Sequence, residues 1–179
     1  MNYFENCMND IKIKNEDFYE ILDQLEAFAK SEVVRSIKVE GDKENAEDWV
    51  GEEYRKYILE KGYAHDGFPE RAKSKNLQVG HFDLGNAEED LFITKKVAEL
   101  NMELQSFLGV RNNALFMIYP PGGFIGWHND QNAPGYNVIL TWSEDGDGYW
   151  QHIDPVSGEV VTIPDVKGWQ CKSGYYGSY

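Results

Sequence analysis

The chain has 179 residues, of which 41% are hydrophobic and 14% aromatic, so it is long and apolar enough to fold around a core. Its 31 acidic and 17 basic residues give a net charge of −14, which argues against non-specific binding to nucleic acid. No apolar stretch approaches the ~20 residues of a membrane span. Cys7 and Cys171 are too few for a disulfide framework, so we expect a cytoplasmic protein without a membrane partner.

The first 110 residues have the pattern of helices separated by short strands. Apolar spacing predicts a helix over 15–28, a strand over 33–41, a helix over 45–62 and a strand over 77–85. The longest predicted helix then runs from the capping residue Asn86 to Gly109. Six of its apolar side chains are expected to face a core: Leu91, Val97, Leu100, Leu104, Phe107 and Leu108.

After residue 110 the pattern changes to short β runs separated by turns rich in Gly, Pro and Asp, at a spacing of roughly ten residues. The runs are ALFMIYPP, FIGWHND, YNVILTW, YWQHID, EVVTIP and WQCKSGYYGSY. Such a series is typical of a sandwich or jelly roll. We therefore predict a single α+β domain over 1–179, in which 1–110 forms a helical and mixed buttress and 111–179 the first part of a jelly-roll core.

His128 and Asp130 form the most specific candidate site. On an extended strand, residues two apart point to the same face, so an imidazole and a carboxylate would lie side by side. They would supply two of the three groups in the two-His, one-carboxylate triad of non-haem iron(II) oxygenases. The short pattern alone also fits an exposed His-Asn-Asp turn, so the surrounding residues have to decide between the two interpretations.

Those surrounding residues resemble the 2-oxoglutarate and iron(II)-dependent dioxygenase superfamily, whose members often read Y-x-x-G and then H-x-D. Residues 119–130 read YPPGGFIGWHND and carry both parts of this pattern. The strand predicted over 136–142, the turn and following strand at 147–150, and the turn at 165–169 are similar to the elements that follow the motif in the family. The stretch 114–179 also resembles a phage-associated branch of the superfamily.

The resemblance implies a double-stranded β-helix, which is a jelly roll, with helices packed outside it. It implies iron(II) held by His128 and Asp130, with 2-oxoglutarate as the small-molecule cosubstrate that is decarboxylated to succinate while a substrate C–H bond is oxidised. It also implies that Tyr119 donates a hydrogen bond to the far carboxylate of the cosubstrate. The alternative for Tyr119 is an aromatic residue packed in the core. The class of substrate stays open.

The family's second histidine, and the basic residue that pairs with the cosubstrate, are expected on late strands. His152 follows Asp130 by only one hairpin, so we expect it to be a polar strand residue and not a ligand. The only bases after the motif are Lys167 and Lys172. The sequence therefore predicts a fragment whose jelly roll is incomplete at the C-terminus, with weak iron binding and no turnover of 2-oxoglutarate.

Two other hypotheses compete with the oxygenase. The first is a cupin-like metal-binding barrel that uses His128, Asp130 and His152 for other chemistry. The second is a non-catalytic jelly-roll module, such as a phage structural or interaction protein. Metal content separates the second from the rest, and dependence on the keto acid separates the oxygenase from the cupin-like barrel.

Overall fold

A computed structural model describes residues 8–42, 47–61, 70–78, 82, 84–113, 115–128 and 135–176. In these ranges the chain is an α+β protein whose strands all pair in the antiparallel sense. The helices are α1 (Glu16–Ala29), α2 (Glu32–Ser36), α3 (Glu47–Val50), α4 (Glu52–Lys61) and α5 (Ala87–Leu108). The strands are β1 (Met8–Asp10), β2 (Glu40–Asp42), β3 (Arg71–Asn76), β4 (Met117–Ile118), β5 (Phe124–Ile125), β6 (Gly135–Ser143), β7 (Tyr149–Ile153), β8 (Val160–Pro164) and β9 (Gly168–Tyr176). None of the described helices is long and apolar enough to cross a membrane.

The chain divides into two compact units. The helical unit, Asp17–Asn129, holds β2–β5 and the helices. The first residue of α1, Glu16, is assigned to the other unit. The β unit combines Met1–Glu16 with Asp130–Tyr179 and holds β1 and β6–β9. The single domain over 1–179, with its division after residue 110, stays a prediction.

The helical unit buries one face of α1 and one face of α5. The predicted apolar face of α1 is confirmed, because its apolar positions are buried: Phe18, Ile21, Leu22, Leu25 and Phe28. Both predicted ends of α5 are also confirmed. The Asn86 side chain accepts a bond from Glu88 N at 3.0 Å, and Gly109 ends the helix in the left-handed conformation at φ 64°.

The inward face of α5 differs from the predicted one toward its ends. Ile93, Val97 and Leu100 are buried, whereas Leu91 is 53% exposed. Phe107 is 38% exposed, although its ring stacks on that of Phe18 at a centroid distance of 4.8 Å. The buried stripe follows the i, i+4, i+7 spacing that starts at Ile93, and Leu91 falls outside this spacing.

The strand predicted over 33–41 is wrong for most of its length. It contains α2, which the Ser31 side chain caps by accepting a bond from Val34 N at 3.4 Å. Lys75 Nζ donates to the carbonyls of Val34 at 3.0 Å and of Arg35 at 2.7 Å. These bonds satisfy carbonyls at the end of the helix, so tertiary contacts outweigh the weak alternation of the sequence.

Two further elements of the front shift from their predicted bounds. The helix predicted over 45–62 is two helices, α3 and α4, which are separated by Gly51. The strand predicted over 77–85 is wrong where it can be compared, because β3 ends at Asn76 and Leu77 and Gln78 form a turn. Residues 45, 46, 62, 79–81 and 83 of these predicted elements lie outside the described part of the chain.

The β unit is built from a long antiparallel ribbon. β6 and β9 pair over nine residues, from Gly135 opposite Tyr176 to Ser143 opposite Gly168, and β1 pairs with the other edge of β9. Farther along the ribbon, β7 and β8 pair over five residues as a separate two-stranded sheet. Four predicted β runs are thereby confirmed over their described residues, apart from Asp154 and Glu159 at the ends of two of them: YNVILTW, YWQHID, EVVTIP and WQCKSGYYGSY.

The turn around residues 146–148 contacts the turn around residues 165–167, between the β6–β9 pair and the β7–β8 pair. Asp165 N donates to Gly148 O at 2.9 Å, and a Cβ on Gly148 would overlap the Asp165 carboxylate. Gly146 has φ 80° and lies against the backbone of Val166 and Lys167. Both turns were expected from the sequence, and glycine is required at position 146 because φ is positive and the opposing backbone is close.

The run ALFMIYPP and the run FIGWHND form much shorter strands than predicted. In the described part of these runs the strands are β4 and β5, and both pair with β3. The Pro-Pro-Gly-Gly turn between them is confirmed. Gly123 N donates to Pro120 O at 2.7 Å and Gly122 has φ 74°, which is the geometry of a type II turn.

Candidate metal and cosubstrate site

The backbone that leads to His128 is held by α3 and by the residue before β3. Gly126 N donates to Glu70 O at 2.7 Å, and Trp127 N donates to Trp49 O at 3.0 Å. The indole of Trp127 adds a third bond, from Nε1 to Val50 O at 2.7 Å. A short helix of the front therefore fixes a segment almost eighty residues later, a contact that the sequence did not reveal.

Glycine is needed at position 126 because this contact is so close. A Cβ there would lie 2.9 Å from Trp49 O and 3.3 Å from Glu70 O. The Trp127 ring beside it is half-buried, with the Arg55 guanidinium 5.9 Å from its centroid. These bonds and the half-buried ring indicate that Trp127 packs against α3.

The His128 side chain is exposed, and one of its ring nitrogens makes a hydrogen bond to the backbone. Nδ1 lies 2.8 Å from Gly126 O. A carbonyl oxygen only accepts, so we assign the proton to Nδ1, which leaves the lone pair on Nε2. Metal-binding histidines typically donate their second ring N–H to a backbone carbonyl or carboxylate in this way. The Gly126 carbonyl therefore orients the ring, and in the neutral form it favours the tautomer whose Nε2 can bind a metal ion.

The strand on which His128 was expected ends before it. β5 ends at Ile125. The Gly126 N–H still bonds to Glu70 O, in register with the β3 pairing, whereas the Trp127 N–H bonds to Trp49 O on α3. His128 itself lies in no regular element. Asp130 lies outside the described residues, so the shared face of His128 and Asp130 stays a prediction.

Tyr119 presents a buried hydroxyl with no hydrogen-bond partner among the residues that the structure describes. Burial raises the pKa of this phenol, and the nearby positive charge of Arg71 acts in the opposite direction. The net pKa is above its ordinary value of 10.0, so the hydroxyl keeps its proton near neutral pH and can donate it to an acceptor. An unpaired buried hydroxyl costs stability unless a ligand satisfies it.

Arg71 is the site residue that sequence reasoning missed. It opens β3, opposite Ile125 in the pair with β5, and is half-buried. The described contact of its guanidinium is a weak one, from Nη1 to the sulfur of Met117 at 3.8 Å. Within the described ranges it has no carboxylate partner. A guanidinium and a phenol donor near each other can bind a carboxylate.

The remaining residues that the sequence singled out belong to the β unit. His152 lies on β7, its ring centroid 5.0 Å from that of Trp150, and its Nδ1 is 3.3 Å from Ile153 O. Lys167 is exposed, whereas Lys172 on β9 is only 2% exposed. The prediction that His152 is a polar strand residue is consistent with this placement, and its exclusion as a ligand stays a prediction.

Within the described residues, no three His, Cys, Asp or Glu side chains come together as a metal-binding group. The predicted ligand Asp130 is not among those residues. Comparison with protein-family models, with curated proteins and with solved structures found no match. The argument for function therefore rests on the residues of this chain.

Proposed function

We propose that this protein is a cytoplasmic, non-haem iron(II) and 2-oxoglutarate-dependent oxygenase, with His128 and Asp130 as metal ligands. The observation that carries the proposal is the hydrogen bond from His128 Nδ1 to Gly126 O, which leaves Nε2 with its lone pair on an exposed ring. Two bonds from Trp127 to α3 hold the neighbouring backbone in place. When bound, iron(II) supplies the activation of dioxygen for oxidation of a substrate C–H bond.

The 2-oxoglutarate molecule has a far carboxylate that needs a cation and a donor. Arg71 and Tyr119 offer both, within the same unit as His128. The guanidinium would offset the charge of the carboxylate, and the Tyr119 hydroxyl would gain the partner that it lacks among the described residues. In this proposal Arg71, and not Lys167 or Lys172, is the cation that pairs with the far carboxylate of 2-oxoglutarate.

The ribbon of the β unit supports a jelly-roll core. A jelly roll forms when a long antiparallel ribbon folds over so that successive strand pairs enter two different sheets. Here β6 pairs with β9 in one sheet, and the enclosed strands β7 and β8 pair in another. The close contact between Gly148 and Asp165 marks the passage between the sheets.

Anaerobic calorimetric titration with iron(II) tests the metal site. We expect binding in the wild-type protein, loss of binding in His128→Ala and in Asp130→Ala, and unchanged binding in His152→Ala. His152→Ala is the matched control, because it also removes an imidazole. Since two protein ligands leave most positions to water, we expect a dissociation constant no tighter than micromolar, on the order of 1–100 μM.

Three results would count against the proposal. Equal binding by the wild type and His128→Ala would remove His128 from the site. Loss of binding in His152→Ala would favour the cupin-like alternative. The absence of any saturable binding would favour a non-catalytic jelly-roll module.

A further inference from the structure

One face of the β1–β9–β6 sheet carries buried polar groups that the proposed oxygenase does not use. Residues directly opposite each other in an antiparallel pair point to the same face. Lys172 is opposite Ile139 on one side and Asp10 on the other, and Gln170 is opposite Thr141. Lys172, Gln170 and Thr141 therefore share a face.

Lys172 is a buried ammonium group with few hydrogen-bond partners. Its residue is 2% exposed, and its described bond goes from Nζ to the neutral Gln170 Oε1 at 3.1 Å. Gln170 Nε2 is in turn 3.3 Å from Asp165 Oδ1 and 3.3 Å from Val166 O. An ammonium group buried without an anion is costly, because one amide oxygen replaces only part of its hydration.

Thr141 provides the second group. Its Oγ1 is buried without a hydrogen-bond partner in the described part of the chain. It is a diagonal neighbour of Lys172 across the β6–β9 pair, since Lys172 is opposite Ile139. Diagonal positions on paired strands are about 7–8 Å apart at Cα, which a lysine side chain can span. A small anion between the two side chains would satisfy both.

We propose that Lys172 and Thr141 bind the carboxylate group of a small organic acid, with Gln170 positioning the lysine. One ammonium group offsets one negative charge, which matches a carboxylate and not a phosphate dianion. One carboxylate oxygen accepts from Lys172 Nζ and the other from Thr141 Oγ1. This site is separate in its residues from Arg71 and Tyr119, and it needs no metal ion.

The negative charge of Asp10 weakens the binding of anions at this site. It is opposite Lys172 on β1 and so lies on the same face, but its side chain is exposed and makes no ion pair with Lys172 within the described residues. Its negative charge opposes binding of any anion beside Lys172. Asp10→Asn should therefore strengthen carboxylate binding modestly, by about twofold to fivefold.

Sodium acetate, without any metal ion, is the probe for this site. We expect acetate to raise the thermal unfolding midpoint more than sodium chloride at equal ionic strength, and to shift the amide NMR signals around Lys172. Lys172→Met should weaken acetate binding by about tenfold or more, and Thr141→Val by about fivefold. Lys167→Met is the matched control, because Lys167 is exposed, and it should bind acetate as the wild type does.

Arg71→Met separates this site from the proposed cosubstrate site. It should retain acetate binding at Lys172, and loss of iron binding in His128→Ala has no bearing on the result. The proposal is overturned if acetate binds Lys172→Met as well as the wild type, if the NMR shifts centre on other residues, or if acetate and chloride act alike. Should Lys172→Met fail to fold, Thr141→Val decides by the same measurements.

Discussion

Replacing Gly126 by alanine tests whether α3 positions the backbone that carries His128. The new Cβ would lie 2.9 Å from Trp49 O, closer than a methyl group tolerates, so the two backbones must separate. Overpacking of this kind costs about 1–3 kcal/mol. Separation also weakens the bonds from Trp127 to Trp49 O and Val50 O, each worth about 1 kcal/mol.

We expect Gly126→Ala to lose about 2–4 kcal/mol of unfolding free energy, measured by urea denaturation. We also expect it to weaken iron(II) binding, because the carbonyl that orients His128 belongs to Gly126. The matched control is Gly135→Ala, where an added Cβ meets nothing within 4 Å. Its stability should lie within about 0.5 kcal/mol of the wild type.

Equal stabilities and equal iron affinities for the two alanine variants would refute this reasoning. If Gly126→Ala does not fold, Trp127→Phe gives the same test more gently. It keeps an aromatic ring but removes the Nε1 donor to Val50 O, so a loss of about 1 kcal/mol is expected. An unchanged unfolding midpoint in Trp127→Phe would then contradict the role of α3.

Three further predictions follow from single groups. Tyr119→Phe removes an unpaired buried hydroxyl, so its stability should equal or exceed that of the wild type by up to about 1 kcal/mol in urea unfolding, and a clear loss would show a bond that we have missed. Burial raises the pKa of the Cys171 thiol, although Lys172 opposes this, so the native protein holds the proton to higher pH than the unfolded chain. The contribution of the Cys171 thiol to stability should be complete below its ordinary pKa of 9.0 and fall as the pH rises above that value. Maleimide at pH 8 should also label Cys171 more slowly than a free cysteine, and equal labelling rates would contradict its burial. Gly109→Ala should cost about 1 kcal/mol because φ is 64°, with no steric clash to add, and an unchanged thermal midpoint would contradict the assigned helix end.

Local signals in the sequence predicted the elements that depend on neighbouring residues. The ends of α5 follow from Asn86 and Gly109, whose side-chain acceptor and freedom at positive φ act within one turn. The ribbon from β6 to β9 follows from its turns, where Gly146 makes a close approach of two backbone segments possible. In both cases the physical cause lies within a few residues of the effect.

Contacts between distant segments could not be read in the same way. The strand predicted over 33–41 is wrong largely because Lys75, far along the chain, binds the last carbonyls of α2. Arg71 was not assigned a role because only the pairing of β3 with β4 and β5 brings it near Tyr119. The site around His128 depends on both short-range and long-range features. Its sequence motif is local, whereas the hydrogen bond from Trp127 N to Trp49 O joins segments that are far apart in the chain.

Binding of 2-oxoglutarate in the presence and absence of iron(II) tests the central proposal most directly. If His128 holds a metal ion that the keto acid also coordinates, each ligand must raise the affinity for the other by the same factor. We predict that iron(II) strengthens 2-oxoglutarate binding by about tenfold or more in anaerobic calorimetry, and that His128→Ala abolishes this increase. An affinity for 2-oxoglutarate that is the same with and without iron(II) would contradict the proposed oxygenase site.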